Sequence, residues 1–327
     1  MSRLFQLKCF VAVTLALLSG FGWAAENASN YPSRPITLLL AYPAGGLADV
    51  VARIITEPMS KSWGQPIVVE PKPGANGYIA ASALKEAKPD GYTLMVGSMF
   101  LVVAPLIDPN ANFKTSDFTP VSLVAGQPNI FVVPSSLPVR TLKEFVEYAK
   151  QRPGQLNTAA MGTGGSNHLG IEAFQQATGI QLTKIKHKGA PPVVPDLLQG
   201  QLSIVLGPVN VLAPHVKSGK LRVLAVNSLE RIDTLPEAPT LIEAGFGQDV
   251  VVVAWYGVVA PPGTPTEIVT RINAEFNKAL KTPEVVQKLK AIDVFVMGGS
   301  PSDFGQLLRS EQIRWAKLVK ERNIRPE

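Results

Sequence analysis

The chain has 327 residues, enough for two domains of ordinary size, and 46% of them are apolar, which is sufficient for a large core. Its formal charge of +6 is mild and comes without a basic run, which excludes a typical nucleic-acid-binding surface. Cys9 is the only cysteine, and the three histidines lack metal-ligand spacing. We therefore expect no thiol chemistry, no metal site and no cofactor.

Residues 1–25 have the pattern of a secretory signal peptide. Arg3 and Lys8 form a positive region before an apolar run, Phe10 to Leu18, that is too short to span a bilayer. Gly22 and Ala24 are small residues that suit a signal-peptidase site. We predict cleavage near Ala24 or Ala25, which would remove Cys9 and lower the formal charge to +4. A periplasmic location is expected, with an uncleaved N-terminal anchor as the alternative.

Strands and helices alternate in the first part of the chain. Apolar runs predict strands over 36–40, 67–70 and 92–97. Between them we predict a helix that begins at Val50 and ends before Trp63, and a helix over 79–88. This order predicts parallel βαβ units. Two strands without a helix between them then follow, over 121–124 and 130–133.

The same alternation resumes after these two strands. The predicted helices are 142–150, 169–178, 193–199 and 209–217, and the predicted strands are 156–161, 181–186, 202–206 and 221–226. A long apolar run over 250–260 resembles a return crossing, and the remainder is mostly helical. We predict an α/β protein of two lobes, each a mostly parallel sheet flanked by helices. Lobe 1 would comprise 31–125 and 261–327 and lobe 2 126–260, with hinge crossings near 121–134 and 250–262.

Two glycine-rich turns each follow a predicted strand and precede a helix. The first is Pro43-Ala44-Gly45-Gly46, and the second is Gly162-Thr163-Gly164-Gly165. Such turns expose backbone N–H groups at a helix N-terminus, where anions bind. The first lacks the spacing of a dinucleotide-binding motif and of a P-loop, and the second lacks the G-x-S-x-G motif of a nucleophilic serine. A tight turn that simply needs glycine is the alternative explanation.

Other side chains near these turns have both a structural and a binding interpretation. Asp49 and His168 fall in first helical turns, where capping the turn is the ordinary role. Lys188 follows a strand and could approach an anion, and Trp255 or Tyr256 could line a cleft or belong to the core. The predicted ligand-binding residues are Tyr42, Ala44, Gly45, Gly46, Asp49, Ser98, Thr163, Gly164, Gly165, Ser166, His168, Lys188 and Gly207.

The order of several short motifs resembles the solute receptors of tripartite tricarboxylate transporters, also called the Bug family. The motifs are Tyr31-Pro32-x-Arg34-Pro35-Ile36, Pro43-Ala44-Gly45-Gly46-x-x-Asp49, Pro73-Gly74-Ala75-x-Gly77, Pro89-Asp90-Gly91-Tyr92-Thr93-Leu94, Gly162-x-Gly164-Gly165-Ser166-x-His168-Leu169 and Ala260-Pro261-x-Gly263-Thr264-Pro265. The resemblance implies a type II periplasmic binding protein. It also implies an organic-acid ligand held by both turns, and a membrane permease with one large and one small subunit as partner.

The sequence departs from that family on the side of the cleft. Leu206-Gly207 stands where members often have an aromatic residue and Asp, and no acidic residue occurs over 197–229. An ammonium group in a closed cleft needs acceptors, so we expect a carboxylate ligand without an amine, with an apolar body beside an open space at Gly207.

A solute receptor that acts as a monomer, without nucleic acid and without catalysis, is the favoured function. An exported ligand-sensing protein for a signalling partner is the main alternative. A periplasmic hydrolase is less favoured, since no nucleophile–base–acid set is visible.

Overall fold

The computed structural model describes residues 30–187 and 189–326. The predicted signal peptide and Lys188 lie outside the described residues. Within them, none of the helices combines the length and apolarity needed to cross a membrane.

The observed elements follow the alternation that the sequence predicts. The strands are β1 (Ile36–Leu40), β2 (Ile67–Pro71), β3 (Thr93–Gly97), β4 (Thr119–Gln127), β5 (Asn129–Pro134), β6 (Leu156–Ala160), β7 (Leu182–Lys186), β8 (Val205–Pro208), β9 (Leu221–Asn227), β10 (Ala254–Ala260) and β11 (Phe295–Val296). The helices are α1 (Leu47–Trp63), α2 (Tyr78–Lys85), α3 (Phe100–Ile107), α4 (Leu142–Lys150), α5 (Ser166–Thr178), α6 (Val193–Leu198), α7 (Val209–Lys217), α8 (Thr266–Leu280), α9 (Pro283–Lys290) and α10 (Pro301–Glu321).

The larger lobe is built on a sheet with the order β11-β4-β10-β3-β1-β2. β1 pairs in parallel with β2 and β3, and the connections pass through α1 and α2 as parallel pairing requires. β10 lies antiparallel between β3 and β4. The larger sheet is therefore mixed, with a parallel unit that carries the first glycine turn.

The smaller lobe contains a second mixed arrangement. β5 lies between β8 and β9 and is antiparallel to both, while β6 and β7 pair in parallel. A parallel bridge between Thr158 and Ile204 places β6 beside the start of β8. The second glycine turn follows β6, so each turn stands at the carboxyl end of a parallel strand.

The chain crosses between the sheets at two places. β4 and β5 are nearly continuous but belong to different sheets, so the chain changes sheet where the sequence predicts its outward crossing. On the return, the run over 250–260 divides. Its strand β10 belongs to the larger sheet, whereas the sequence prediction gave these residues to lobe 2. The change of sheet on the return therefore falls before Ala254.

Both faces of the larger sheet are covered. Leu38 and Leu40 of β1 pack on one side with α1, α8 and α9, whereas Leu39 packs on the other with α2, α3 and α10. Alternate side chains of one strand are thus buried on opposite faces, which explains its continuous apolar sequence. The second of these clusters also includes Leu169 and Ala173 of α5, so the two lobes share apolar contacts.

Candidate functional site

The two glycine turns have nearly the same backbone geometry. The N-cap of α1 is Gly46, with φ −72° and ψ 168°, and the N-cap of α5 is Gly165, with φ −74° and ψ 164°. Neither cap has a side chain that accepts a hydrogen bond from its helix. Because the first N–H groups of a helix lack intrahelical acceptors, both turns present donors and a positive dipole end to an anion.

Each turn is closed by a side chain from the third residue of its helix. The Gly45 N–H donates to Oδ2 of Asp49 at 2.9 Å, and the Gly164 N–H donates to Nδ1 of His168 at 3.1 Å. Asp49 is 5% exposed and His168 is 6% exposed. The capping roles proposed for both residues are therefore the ones that the geometry supports.

Both carboxylate oxygens of Asp49 already accept hydrogen bonds. Its Oδ1 accepts from Nε of Arg53 at 2.9 Å while Oδ2 holds Gly45. The hydrogen bond from Arg53 lowers the pKa of the Asp49 carboxyl below its ordinary value, against the effect of burial. This arrangement does not favour the direct ligand contact predicted for Asp49. It indicates instead that Asp49 holds the first turn in place.

Two hydroxyl groups meet beside the first turn. Tyr42 follows β1 and Ser98 follows β3, and the Tyr42 hydroxyl is hydrogen-bonded to the Ser98 hydroxyl. Burial raises the pKa of Tyr42, and burial together with the Tyr42 phenol raises that of Tyr256 on β10. These groups stay neutral at ordinary pH and can donate hydrogen bonds to a carboxylate.

The second turn packs directly on the larger lobe. A Cβ atom added at Gly164 would lie 2.9 Å from Cγ1 of Val103 on α3. Ser166 accepts at its Oγ from Nδ2 of Asn129 at the start of β5, at 3.0 Å. Oγ1 of Thr163 is buried without a hydrogen-bond partner in the described chain, so it is available for a ligand or water.

A cavity of about 530 Å³ adjoins the first turn. It lies between the start of α1 in the larger lobe and one side of α7 in the smaller lobe. Its lining residues are Gly45, Leu47, Val50, Asn210, Ala213, Pro214, Lys217, Thr234, Ala291, Ile292 and Asp293. This volume is within the range of small-molecule sites. The sequence analysis missed Asn210 and Lys217, because the periodicity of α7 does not indicate which of its faces meets the cleft.

Some predicted site residues have other surroundings. The prediction of open space at Gly207 is wrong, because a Cβ atom added there would lie 2.8 Å from Cδ1 of Leu212. Trp255 is 3% exposed and packs edge-on against Phe304, so its core interpretation is correct. Ala44 is exposed in the first turn.

Two α/β lobes joined by crossing strands, with a glycine turn at a helix N-terminus in each lobe and a cavity between the lobes, define the class of two-lobed solute-binding proteins. Residues 51–324 match the family described as "Tripartite tricarboxylate transporter family receptor". The chain belongs to this family, as the motifs suggested.

Similar proteins agree with this assignment. A protein of the tcbD–tcbE intergenic region of Pseudomonas sp. (strain P51) is 37% identical over 298 residues, covering 91% of this chain and 89% of the relative. Protein BugT of Bordetella pertussis (strain Tohama I) is 34% identical over 301 residues, covering 91% and 92%. These matches extend over nearly the whole of each relative.

Solved structures show the same fold. R. palustris Rpa4515 with adipate has a TM-score of 0.78 and 34% identity, and the match covers 91% of this chain and 100% of that one. MatC from Rhodopseudomonas palustris with bound malate has a TM-score of 0.75 and 31% identity, covering 88% and 100%. A similar structure is described as a periplasmic transporter, at 34% identity with 90% and 99% coverage. The chain is thus a solute-binding receptor of a periplasmic family.

Proposed function

We propose that the chain binds a small organic carboxylate between its lobes and delivers it to the membrane permease of a tripartite tricarboxylate-type transporter. The observation that carries the proposal is the pair of matched glycine turns. Each one presents uncapped helix N–H groups, and each is held in place by the side chain three residues into the helix. The bound adipate and malate of the two relatives support a carboxylate as the ligand.

The polar groups beside the turns favour an acid over an amino acid. Asp49 is already paired, and the segment 197–229 contains no acidic residue. A ligand ammonium would lose water on lobe closure without gaining a carboxylate at the turns. We therefore expect a mono- or dicarboxylate without an amine, either aliphatic or aromatic.

Matched ligand pairs test this function. Thermal shift followed by calorimetry on the mature protein compares glutarate with glutamate and succinate with aspartate. The acid is expected to bind more tightly in each pair. A preference for the amino acid would overturn the ligand class, and failure of every carboxylate to bind would overturn the receptor function itself. Unchanged ligand spectra after prolonged incubation would distinguish binding from hydrolysis.

Delivery to a transporter needs a test in cells. Deletion of the gene should reduce uptake of the identified labelled carboxylate, and expression of the full chain should restore it. Normal uptake with an altered transcriptional response to the ligand would support the sensing role instead. The N-terminal mass of the protein recovered from the periplasm tests cleavage near Ala24 or Ala25, and its sedimentation tests the expected monomer.

A further inference from the structure

The cavity extends along one face of α7. Asn210, Ala213, Pro214 and Lys217 all line it, and these positions share one helical face. At 1.5 Å of rise per residue, about 10 Å separates the levels of Asn210 and Lys217. A ligand that starts at the first turn therefore has room for a body of several carbon atoms.

About half of the residues that line the cavity are apolar. Leu47 and Val50 contribute from α1, Ala213 and Pro214 from α7, and Ile292 from the segment after α9. Methylene groups placed here would be removed from water, which is favourable by about 0.8 kcal/mol for each fully buried group. Along α7, Ala213 and Pro214 lie between Asn210 and Lys217, an order that suits a molecule with two polar termini.

The charged groups of the cavity have different surroundings. Asp293 accepts a hydrogen bond from the Thr234 hydroxyl, so one of its carboxylate oxygens already has a partner. Lys217 is exposed, and within the described parts of the chain it forms no ion pair. The cavity thus contains one ammonium group, which forms no ion pair with a described residue, and one carboxylate, which is hydrogen-bonded to Thr234.

We propose that this cavity receives the distal end of the ligand and that Lys217 pairs with a second carboxylate there. The inference rests on the proposed function, because the first carboxylate is placed at the glycine turns. It names the ligand class as an aliphatic dicarboxylate with terminal carboxylates, about as long as adipate or longer. Contact between the ammonium and the carboxylate forms a charge-assisted hydrogen bond, which is stronger than one between neutral groups.

Three ligands of equal chain length test the distal subsite by calorimetry: adipate, hexanoate and 6-aminohexanoate. They differ only in whether the far end is a carboxylate, a methyl group or an ammonium. The wild-type protein is expected to bind adipate about tenfold more tightly than the other two. Lys217→Met should bind adipate no more tightly than hexanoate, while its affinity for hexanoate stays close to that of the wild type.

Lys220→Met is the matched control, since Lys220 is an exposed lysine nearby that does not line the cavity. It removes the same charge and should keep the preference for adipate. Thermal unfolding verifies that both variants fold. Retention of the preference in Lys217→Met would overturn the inference, and tighter binding of 6-aminohexanoate would assign the distal end to Asp293 instead. If hexanoate and succinate bind but adipate has no advantage, only this inference fails. If no carboxylate binds the wild type, the proposed function fails with it.

Discussion

Nδ1 of His168 accepts a hydrogen bond from the backbone N–H of Gly164, with 3.1 Å between the two nitrogen atoms. The same relationship joins Asp49 and Gly45 in the other lobe, at 2.9 Å and with the same spacing of four residues. An imidazole in one turn and a carboxylate in the other thus have the same role. Each accepts a hydrogen bond from the N–H of the first glycine in its Gly-Gly pair. Both turns are fixed before any ligand arrives, which lowers the entropic cost of binding.

Substitutions at Asp49 test this support. Asp49→Ala removes the acceptors of Gly45 and Arg53, so we expect a loss of about 1–3 kcal/mol in stability and weaker carboxylate binding. Asp49→Asn keeps an acceptor oxygen for Gly45 and should retain most of the affinity. Chemical unfolding and calorimetry measure the two effects. Equal affinity losses in the two variants would show that the negative charge matters and the turn geometry does not.

The two leading glycines should respond differently to alanine. Gly45 has φ +77° and open space around its Cβ position, whereas Gly164 has φ +84° and would place its Cβ atom against Val103. Gly45→Ala is expected to cost about 1 kcal/mol through backbone strain alone. Gly164→Ala should cost more, because α3 must also move. Urea unfolding gives both values.

The double variant Gly164→Ala/Val103→Ala separates strain from collision. It relieves the contact with Val103 but leaves the positive φ at residue 164. Val103→Ala should therefore reduce the free energy of unfolding less in the Gly164→Ala background than in the wild type. Strict additivity of the two losses would show that Gly164 and Val103 do not interact in solution.

The success of sequence-based prediction followed the strength of the local signals. The alternating apolar runs located β1 to β3 and the glycines located both turns. Helix α3 was missed because its sequence is apolar all round and contains Pro105, so no periodicity distinguishes it from a strand. β10 was assigned to the wrong lobe because an apolar run does not specify its partner strands.

The site was predicted less completely than the fold. Asp49 and His168 were recognised because first-turn residues have local roles, and the structure supports those roles. Lys217 was missed because only the position of α7 opposite the start of α1, across the cavity, makes it a lining residue. Leu212 fills the space expected beside Gly207, and a contact of this kind depends on the path of the following helix.

Glu172 makes stability depend on pH. It lies on α5, is 2% exposed, and accepts from Nζ of Lys184 and Nε of Arg322, each at 2.7 Å. Burial alone would raise the pKa of Glu172, but these two hydrogen bonds hold it below its ordinary value of 4.5. The stabilisation is therefore complete above that ordinary value and is lost as the pH falls through the lower pKa of the folded state.

Glu172→Gln should accordingly be less stable than the wild type by about 1–3 kcal/mol at pH 7, with the difference shrinking toward pH 3. Urea unfolding at several pH values measures it. Glu147→Gln is the control, since Glu147 pairs with Lys150 on the surface and should contribute little at any pH. A pH-independent difference for Glu172→Gln would mean that the lost contact is not ionic.

Thr234 connects the lobes at the rim of the cavity. Its hydroxyl donates to Asp293, so the segment after β9 is tied to the segment after α9, and Asp233 and Lys290 form an ion pair beside it. A contact that exists only when the lobes are together favours the closed state over the open one. Thr234→Val removes the hydroxyl while keeping the shape of the side chain.

We expect Thr234→Val to increase the radius of gyration of the ligand-free protein and to weaken carboxylate binding about two- to fivefold, because closure must then be driven by the ligand. The ligand-saturated protein should be as compact as the wild type. Small-angle scattering and calorimetry measure these quantities, with Thr270→Val on the exposed side of α8 as the control. If the variant matches the wild type in both dimensions and affinity, the Thr234–Asp293 contact does not control closure.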